Sequence, residues 1–253
     1  MIAIKRGIDV SEHQGLIHWE QVKPNIDFAI LRAGYGQNNP DKYFVHNATE
    51  CSNLGIPFGV YWFSYALNPD MAALEAEYCC DAISKYKINY PVCFDYEYAS
   101  YNYASKKGLA PSKNTLVNIA KSFLNRVEER GYYAMIYTNV DYLNKGFSEL
   151  KNRFDIWLAD WGLDKPSTKC GIWQQTSKGG ITGISSYVDI DYAYYDYPKI
   201  IGKARKNNAV HILNKTIEVI NGNYGTNDNA IYNKLLFDKE DADLIMKIRD
   251  MVV

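Results

Sequence analysis

Residues 90–98 read Tyr90-Pro91-Val92-Cys93-Phe94-Asp95-Tyr96-Glu97-Tyr98, a stretch that is at once a strand and a pair of acids. Pro91 to Phe94 form a short apolar run of the kind that fills a buried strand. The run leads directly into Asp95-Tyr96-Glu97. Side chains alternate along a strand, so Asp95 and Glu97 face one way and Tyr96 the other, with the two acids roughly 7 Å apart at the backbone. At that spacing each carboxylate disfavours the other's charge, which leaves a proton donor beside an anion. Glycoside hydrolysis uses that combination. The plain alternative is a solvated strand end with two surface acids, and the apolar run before the pair weighs against it.

Outward from this strand the chain alternates strands and helices. Ile4–Val10, Asp27–Ala33 and Ile56–Phe63 read as strands before it. A helix opens at Asn68-Pro69, with Asn68 as cap and Met71, Leu74, Tyr78 and Ala82 as its buried stripe. After the acidic strand, Leu116, Ile119, Phe123 and Val127 mark a helix that stops at Gly131. Tyr133–Thr138, Phe154–Ala159 and Gly171–Gln174 are further strands, Ser177-Lys178-Gly179-Gly180 a turn, and Tyr187–Tyr194 a last strand-like run. Repeated strand–helix units with apolar strands predict a parallel sheet covered by helices. So many strands in fewer than about 200 residues predict a compact, irregular (β/α) TIM-like barrel of the α/β class, with its chemistry at the C-terminal ends of the strands. The polar residues gather there: Asp9, Tyr65, Asp95 and Glu97, Thr138 and Asn139, Asp160 and Trp161, Gln174 and Gln175.

Composition narrows the function classes. A chain of 253 residues buries a full core and leaves room for a small appendage. With a formal net charge of −1 and a pI of about 6.4, nothing points to nucleic acid or an anionic membrane surface. No apolar run is long enough to span a bilayer. The N-terminal MIAIKRGIDV lacks a signal peptide's apolar segment and cleavage site, so synthesis in a cytoplasm is expected. The five cysteines, Cys51, Cys79, Cys80, Cys93 and Cys170, have no regular spacing and predict no disulfide framework. Cys79 and Cys80 read as helical core residues. The four histidines form no metal-ligand set, and neither a metal nor a cofactor is expected.

Several motifs stand in an order that resembles the family 25 glycoside hydrolases, muramidases of bacterial and phage origin. They are Gly7-Ile8-Asp9-Val10-Ser11, Phe94-Asp95-Tyr96-Glu97, Ile156-Trp157-Leu158-Ala159-Asp160-Trp161, Ile172-Trp173-Gln174 and Val188-Asp189-Ile190-Asp191. The resemblance covers roughly Arg6 to Tyr197. It implies an irregular β/α barrel that cleaves the β-1,4 bond between N-acetylmuramic acid and N-acetylglucosamine in peptidoglycan. It also implies Glu97 as general acid, Asp95 as its partner at the anomeric centre, Asp9 and Asp189 as the rest of the acidic set, and net retention. The anomeric carbon would be stabilised by the substrate's own N-acetyl group or by Asp95. Where the family often has Asn two residues after the last aspartate, this chain has Asp191. Sugar-contacting residues are expected among Tyr61, Tyr65, Arg32, Tyr137, Trp161, Gln174 and Asp191.

Each of these residues has a duller reading. Asp9 is then a turn residue, Asp189 and Asp191 are solvated strand acids, and Trp161 belongs to the core instead of a sugar-stacking platform. Arg32 pairs either with a site carboxylate or with a structural one. Two rival functions are a non-catalytic protein that uses the barrel as a glycan-binding scaffold, and a stem-peptide hydrolase using Cys93, which by alternation shares a face with Asp95.

The organisation expected is a catalytic barrel over 1–198, a linker over 199–209 and a helical module over 210–253. Lys199, Lys203, Arg205 and Lys206 among small polar residues mark the linker. Beyond it, Leu213, Ile217 and Ile220, then Ile231 and Leu235, then Ala242, Ile245, Ile248 and Val252 predict three short helices. Residues Val219–Asp228 resemble the short wall-binding repeats of the CW-seven type, with Tyr224 for their tryptophan and Asn227 for their second glycine. The two resemblances together imply a phage or prophage endolysin that acts on the bacterial wall after release. Peptidoglycan is its expected partner, as glycan strand at the barrel mouth and as muropeptide at the tail.

Overall fold

A computed structural model describes residues 4–205. The chain divides into two units, Met1–Pro198 and Lys199–Val253. The helical module expected from residue 210 and its wall-binding turn lie outside the described residues. The stretch 197–205 is helical, so the expected linker begins as helix.

Eight strands close a barrel. They are β1 (Lys5–Val10), β2 (Phe28–Tyr35), β4 (Phe58–Phe63), β5 (Val92–Asp95), β6 (Ala134–Asn139), β7 (Asp155–Ala159), β8 (Ile172–Gly179) and β9 (Val188–Ala193). The order runs β1-β9-β8-β7-β6-β5-β4-β2, and a β1–β2 pairing shuts the ring. The two-residue β3 (Asn39–Pro40) is an antiparallel addition to β2. Pairing is parallel from β1 through β2, β4, β5, β6, β7 and β8. β9 alone breaks the rule and is antiparallel to both neighbours. It therefore enters at the mouth where the other strands end, which sets Asp189 opposite Asp9 and Asp191 opposite Gly7.

Alternation divides the buried side chains into two layers. On β2, Ala29, Leu31 and Ala33 face the helices and belong to the continuous outer core, whereas Phe28 and Ile30 are equally buried but lie outside it. They fill the barrel interior with Cys93, Met135, Trp157 and Ile172. Aromatic rings close the floor. Phe28 stacks on Tyr90 with centroids 4.4 Å apart, and Tyr197 packs 5.7 Å from both Tyr90 and Tyr133. Gly7 is glycine because a Cβ there would come within 2.5 Å of the Phe28 ring.

Among the described residues, the helices before residue 197 are α1 (Trp19–Val22), α2 (Phe44–Leu54), α3 (Pro69–Ile83), α4 (Tyr98–Lys106), α5 (Lys113–Glu129) and α6 (Val140–Lys145). α5 buries its predicted stripe of Leu116, Ile119, Phe123 and Val127. α3 starts at the predicted cap, with the Met71 N–H donating to Asn68 Oδ1 at 2.9 Å, but its buried face is turned by about one residue. Ala72, Glu75, Ala76, Cys79, Cys80 and Ile83 face inward, while Leu74 is exposed and Met71, Tyr78 and Ala82 lie at the margin. Small residues let α3 approach the sheet closely, a fit that apolar counting misses. A second correction concerns 177–180. Ser177-Lys178-Gly179 continue β8 alongside β9, and the connection follows Gly179. α1, α2, α4 and α6 are not among the helices expected from the sequence.

Candidate active site

β5 ends at Asp95, and Glu97 is the N-cap residue of α4 with extended backbone (φ −125°). The alternation therefore survives the change from strand to helix. Tyr96 packs outward beside Phe94, with centroids 6.2 Å apart. Asp95 and Glu97 both face a cavity of about 280 Å³ at the barrel mouth. The Glu97 N–H donates to Ser100 Oγ at 3.2 Å, which fixes the turn into α4.

Asp9 from β1 and Asp189 from β9 line the same cavity, as do Arg32, Tyr61, Tyr137, Trp161 and Gln174. Burial is the first cause of an upward pKa shift in every acid of the group. Asp9 is pushed well above the ordinary carboxylate range by burial, then by Asp189 and Asp191. Asp95 is pushed well up by burial and then by Glu97, with Arg32 pulling the other way. Glu97 is raised by burial and then by Asp189. Burial raises Asp189 to about 6. Asp95 Oδ1 is buried without a hydrogen-bond partner, which further favours the protonated form. The cavity cannot hold all these groups charged, so it is a store of protons facing solvent at one edge.

Asp191, expected among the sugar-contacting residues, lies apart from them. It is fully buried and does not line the cavity. Because β9 runs down from the mouth, Asp191 lies one layer below Asp189, where its Oδ1 accepts from Trp157 Nε1 at 2.7 Å. Burial raises its pKa to about 8, and its Oδ2 is buried without a hydrogen-bond partner. Asp191 therefore lies beneath the mouth, off the wall of the cavity.

Arg32 pairs with structural acids. Its Nε donates to Asp41 Oδ2 and its Nη2 to Glu12 Oε1, both at 2.7 Å. Neither acid stood out in the sequence, although Glu12 follows the Asp9 motif. Gln174 uses its amide inside the site: Nε2 donates to Asp9 Oδ2 at 2.8 Å, and Oε1 accepts from Tyr137 Oη and Trp161 Nε1, both at 3.0 Å. Trp161 is 55% exposed and so is no core residue; it stands beside Gly162, whose φ of +76° turns the chain at the rim. Tyr61 packs edge-on to Trp157 at 5.9 Å, and Tyr137 to the same ring at 4.5 Å. Trp157, which the sequence offers only within a motif, turns inward as alternation along Ile156-Trp157-Leu158 places it.

Tyr65 lies outside the central cavity. It lines an adjoining one with Tyr35 and Phe63, and its N–H donates to the buried Glu75 Oε1 at 3.0 Å. A third cavity, of about 440 Å³, shares Glu97, Tyr137 and Trp161 with the first. Cavities on both sides of the acids make an open cleft across the mouth. Cys93 does face the barrel interior, but it is fully buried one layer below Asp95 and absent from the cavity wall. Burial pushes its thiol pKa well up, which disfavours the thiolate a nucleophile needs.

Comparison with known proteins bears on the family and the fold. The family model described as glycosyl hydrolases family 25 matches residues 8–184. Lysozyme M1 of Streptomyces globisporus is 29% identical over 198 residues, covering 73% of this chain and 66% of that protein. Among solved structures, the modular autolysin LytC of Streptococcus pneumoniae, in complex with a synthetic peptidoglycan ligand, is 30% identical with a TM-score of 0.65. That match covers 75% of this chain and 46% of LytC. A family 25 glycosyl hydrolase from Bacillus anthracis is 26% identical with a TM-score of 0.66, over 79% of this chain and 93% of its own. The chain thus spans just under two thirds of Lysozyme M1 and less than half of LytC.

Proposed function

The chain belongs to glycosyl hydrolase family 25, and from that premise we propose that it is a peptidoglycan muramidase, a lysozyme cleaving the β-1,4 bond between N-acetylmuramic acid and N-acetylglucosamine. The observation that carries the reading is the convergence of Asp9, Asp95, Glu97 and Asp189 on one cavity within an open cleft. A cleft open at both sides suits a polymer threaded across the mouth. The peptidoglycan ligand bound by LytC and the lysozyme identity of the Streptomyces relative support the substrate class.

Glu97 acts as the general acid. Burial, and then the charge of Asp189, raise its pKa above the ordinary carboxylate value, and it borders both the central cavity and the one beside it. It gives its proton to the leaving oxygen. Asp95 sits deeper, its pKa pushed well up by burial and then by Glu97, with Arg32 pulling the other way. The positive charge growing at the anomeric carbon is met by the substrate's N-acetyl oxygen, oriented by Asp95. Glu97, now a base, then draws the proton from a water arriving on the face the leaving group vacated, and configuration is retained. NMR of the first product should show the β-anomer, whereas an α-anomer first would contradict retention.

The setting is that of an endolysin, made in a cytoplasm and acting on the wall after release, with residues 210–253 holding the enzyme on its insoluble substrate. Support for the tail's role comes from the likeness of Val219–Asp228 to wall-binding repeats. The test of the activity is digestion of purified walls, with mass spectrometry of the fragments. New reducing N-acetylmuramic acid ends are expected; free amino groups without new reducing ends would instead mean cleavage in the stem peptide.

A further inference from the structure

Glu75 is fully buried in the outer layer, on the face of α3 that otherwise turns Ala72, Ala76, Cys79 and Ile83 inward. An apolar side chain fits such a place without penalty, whereas a carboxyl has to be paired. Its partner is the Tyr65 N–H, which donates to Glu75 Oε1 at 3.0 Å. The other oxygen, Oε2, is buried without a hydrogen-bond partner. Burial raises the Glu75 pKa to about 7, with Ser64 and the Tyr65 N–H pulling the other way. The bond falls where the chain leaves the sheet. β4 ends at Phe63, and the Ser64 N–H still follows the ladder, donating to the Asp95 carbonyl at 2.8 Å. Tyr65 comes next, and its N–H turns to α3 instead. Glu75 thus supplies the acceptor one residue past the tie to Asp95.

The Tyr65 side chain lies at the mouth. It lines the adjoining cavity with Arg32, Tyr35 and Phe63. Its ring meets Phe63 at 5.1 Å, Tyr103 of α4 at 5.0 Å and Tyr35 of β2 at 6.5 Å between centroids. We propose that Glu75 is a positioning residue for substrate binding: holding the Tyr65 N–H from behind the barrel, it sets the Tyr65 ring as a wall of the cleft along which the glycan lies. Its meaning for binding rests on the muramidase reading; the hydrogen bond does not. The role needs an acceptor oxygen and no charge, and a glutamine amide offers one at the same place. Removing the acceptor leaves a buried N–H unpaired, a penalty that the turn relieves by shifting.

Two measurements on the full chain test it. In protein labelled with ¹⁵N-tyrosine, the Tyr65 amide is assigned by its disappearance in Tyr65→Phe, and its hydrogen exchange is followed. Exchange stays slow in Glu75→Gln and quickens about tenfold or more in Glu75→Leu. The second measurement is kinetic, on a soluble uncrosslinked glycan of alternating N-acetylglucosamine and N-acetylmuramic acid. Glu75→Leu raises KM about fivefold or more with kcat little changed, whereas Glu75→Gln keeps the parental KM. Tyr65→Ala raises KM by itself, and adding Glu75→Leu to it raises KM no further. Glu75→Met repeats the series if the leucine variant folds poorly. Parental exchange or parental KM in folded Glu75→Leu overturns the proposal. So does a full further rise in KM on top of Tyr65→Ala, which would route the effect through another group, or a Glu75→Gln variant that behaves as Glu75→Leu does. Failure of the parental chain to release reducing ends would remove the muramidase reading, while the exchange would still decide whether Glu75 holds Tyr65.

Discussion

At the scale of single residues, Asp191 shows how far the sequence reaches. Alternation along Val188-Asp189-Ile190-Asp191 puts both acids on one face, and that is correct. Their depths follow only from the antiparallel course of β9, which no local pattern announces. The same holds for Arg32, whose partner Asp41 comes from a loop with no motif around it. The buried acids carry a consequence for pH. Asp189 rises from 3.8 to about 6 and Asp191 from 3.8 to about 8, so the folded chain binds these protons more tightly than the unfolded one. Stability is then lost as pH rises across that window, from about 4 to about 8; Asp9, Asp95 and Glu97 act in the same sense. Thermal melting should fall from pH 5 to pH 8. Asp191→Asn, which keeps an acceptor for Trp157 Nε1, should flatten that fall. A variant that loses as much melting temperature over the same interval as the parent protein would contradict this account of Asp191.

At the scale of elements, what was legible depended on how strongly each one follows a period. α5 has a clean apolar stripe and was read correctly. α3 buries mostly small residues and one Glu, so Met71 and Tyr78 pack only at the margin of the core and Leu74 alone of the expected stripe is exposed. α4 begins on Glu97 and carries Tyr98, Tyr101 and Tyr103 toward solvent, and such a helix leaves little apolar signal. Glycines in the strands were visible, but their reason lay in the floor of the barrel. Gly7→Ala directs a methyl at the Phe28 ring, which is itself stacked on Tyr90. Overpacking of this kind typically costs about 1–3 kcal/mol. Chemical denaturation should show a loss in that range, whereas a change within about 0.5 kcal/mol, the usual span for surface substitutions, would mean that the floor yields easily.

At the scale of the whole molecule, the closed barrel brings four acids from three distant stretches of sequence to one mouth, and the alternating strand–helix pattern was enough to expect a barrel. Residues 210–253 add a second claim. A short tether raises the local concentration of the enzyme at an insoluble wall into the millimolar range or thereabouts, roughly as for other short linkers. Deleting residues 210–253 should therefore weaken lysis of whole walls far more than cleavage of soluble fragments; equal loss on both substrates would assign the tail to folding instead. The central claim is that the mouth of the barrel cuts glycan strands with Glu97 as proton donor, and Glu97→Gln tests it most directly. The amide is nearly isosteric but has no acidic proton to give. With folding verified by an unchanged melting transition, release of reducing ends from purified peptidoglycan should drop by about 10²–10⁴-fold. Near-parental release by the folded variant would contradict the account.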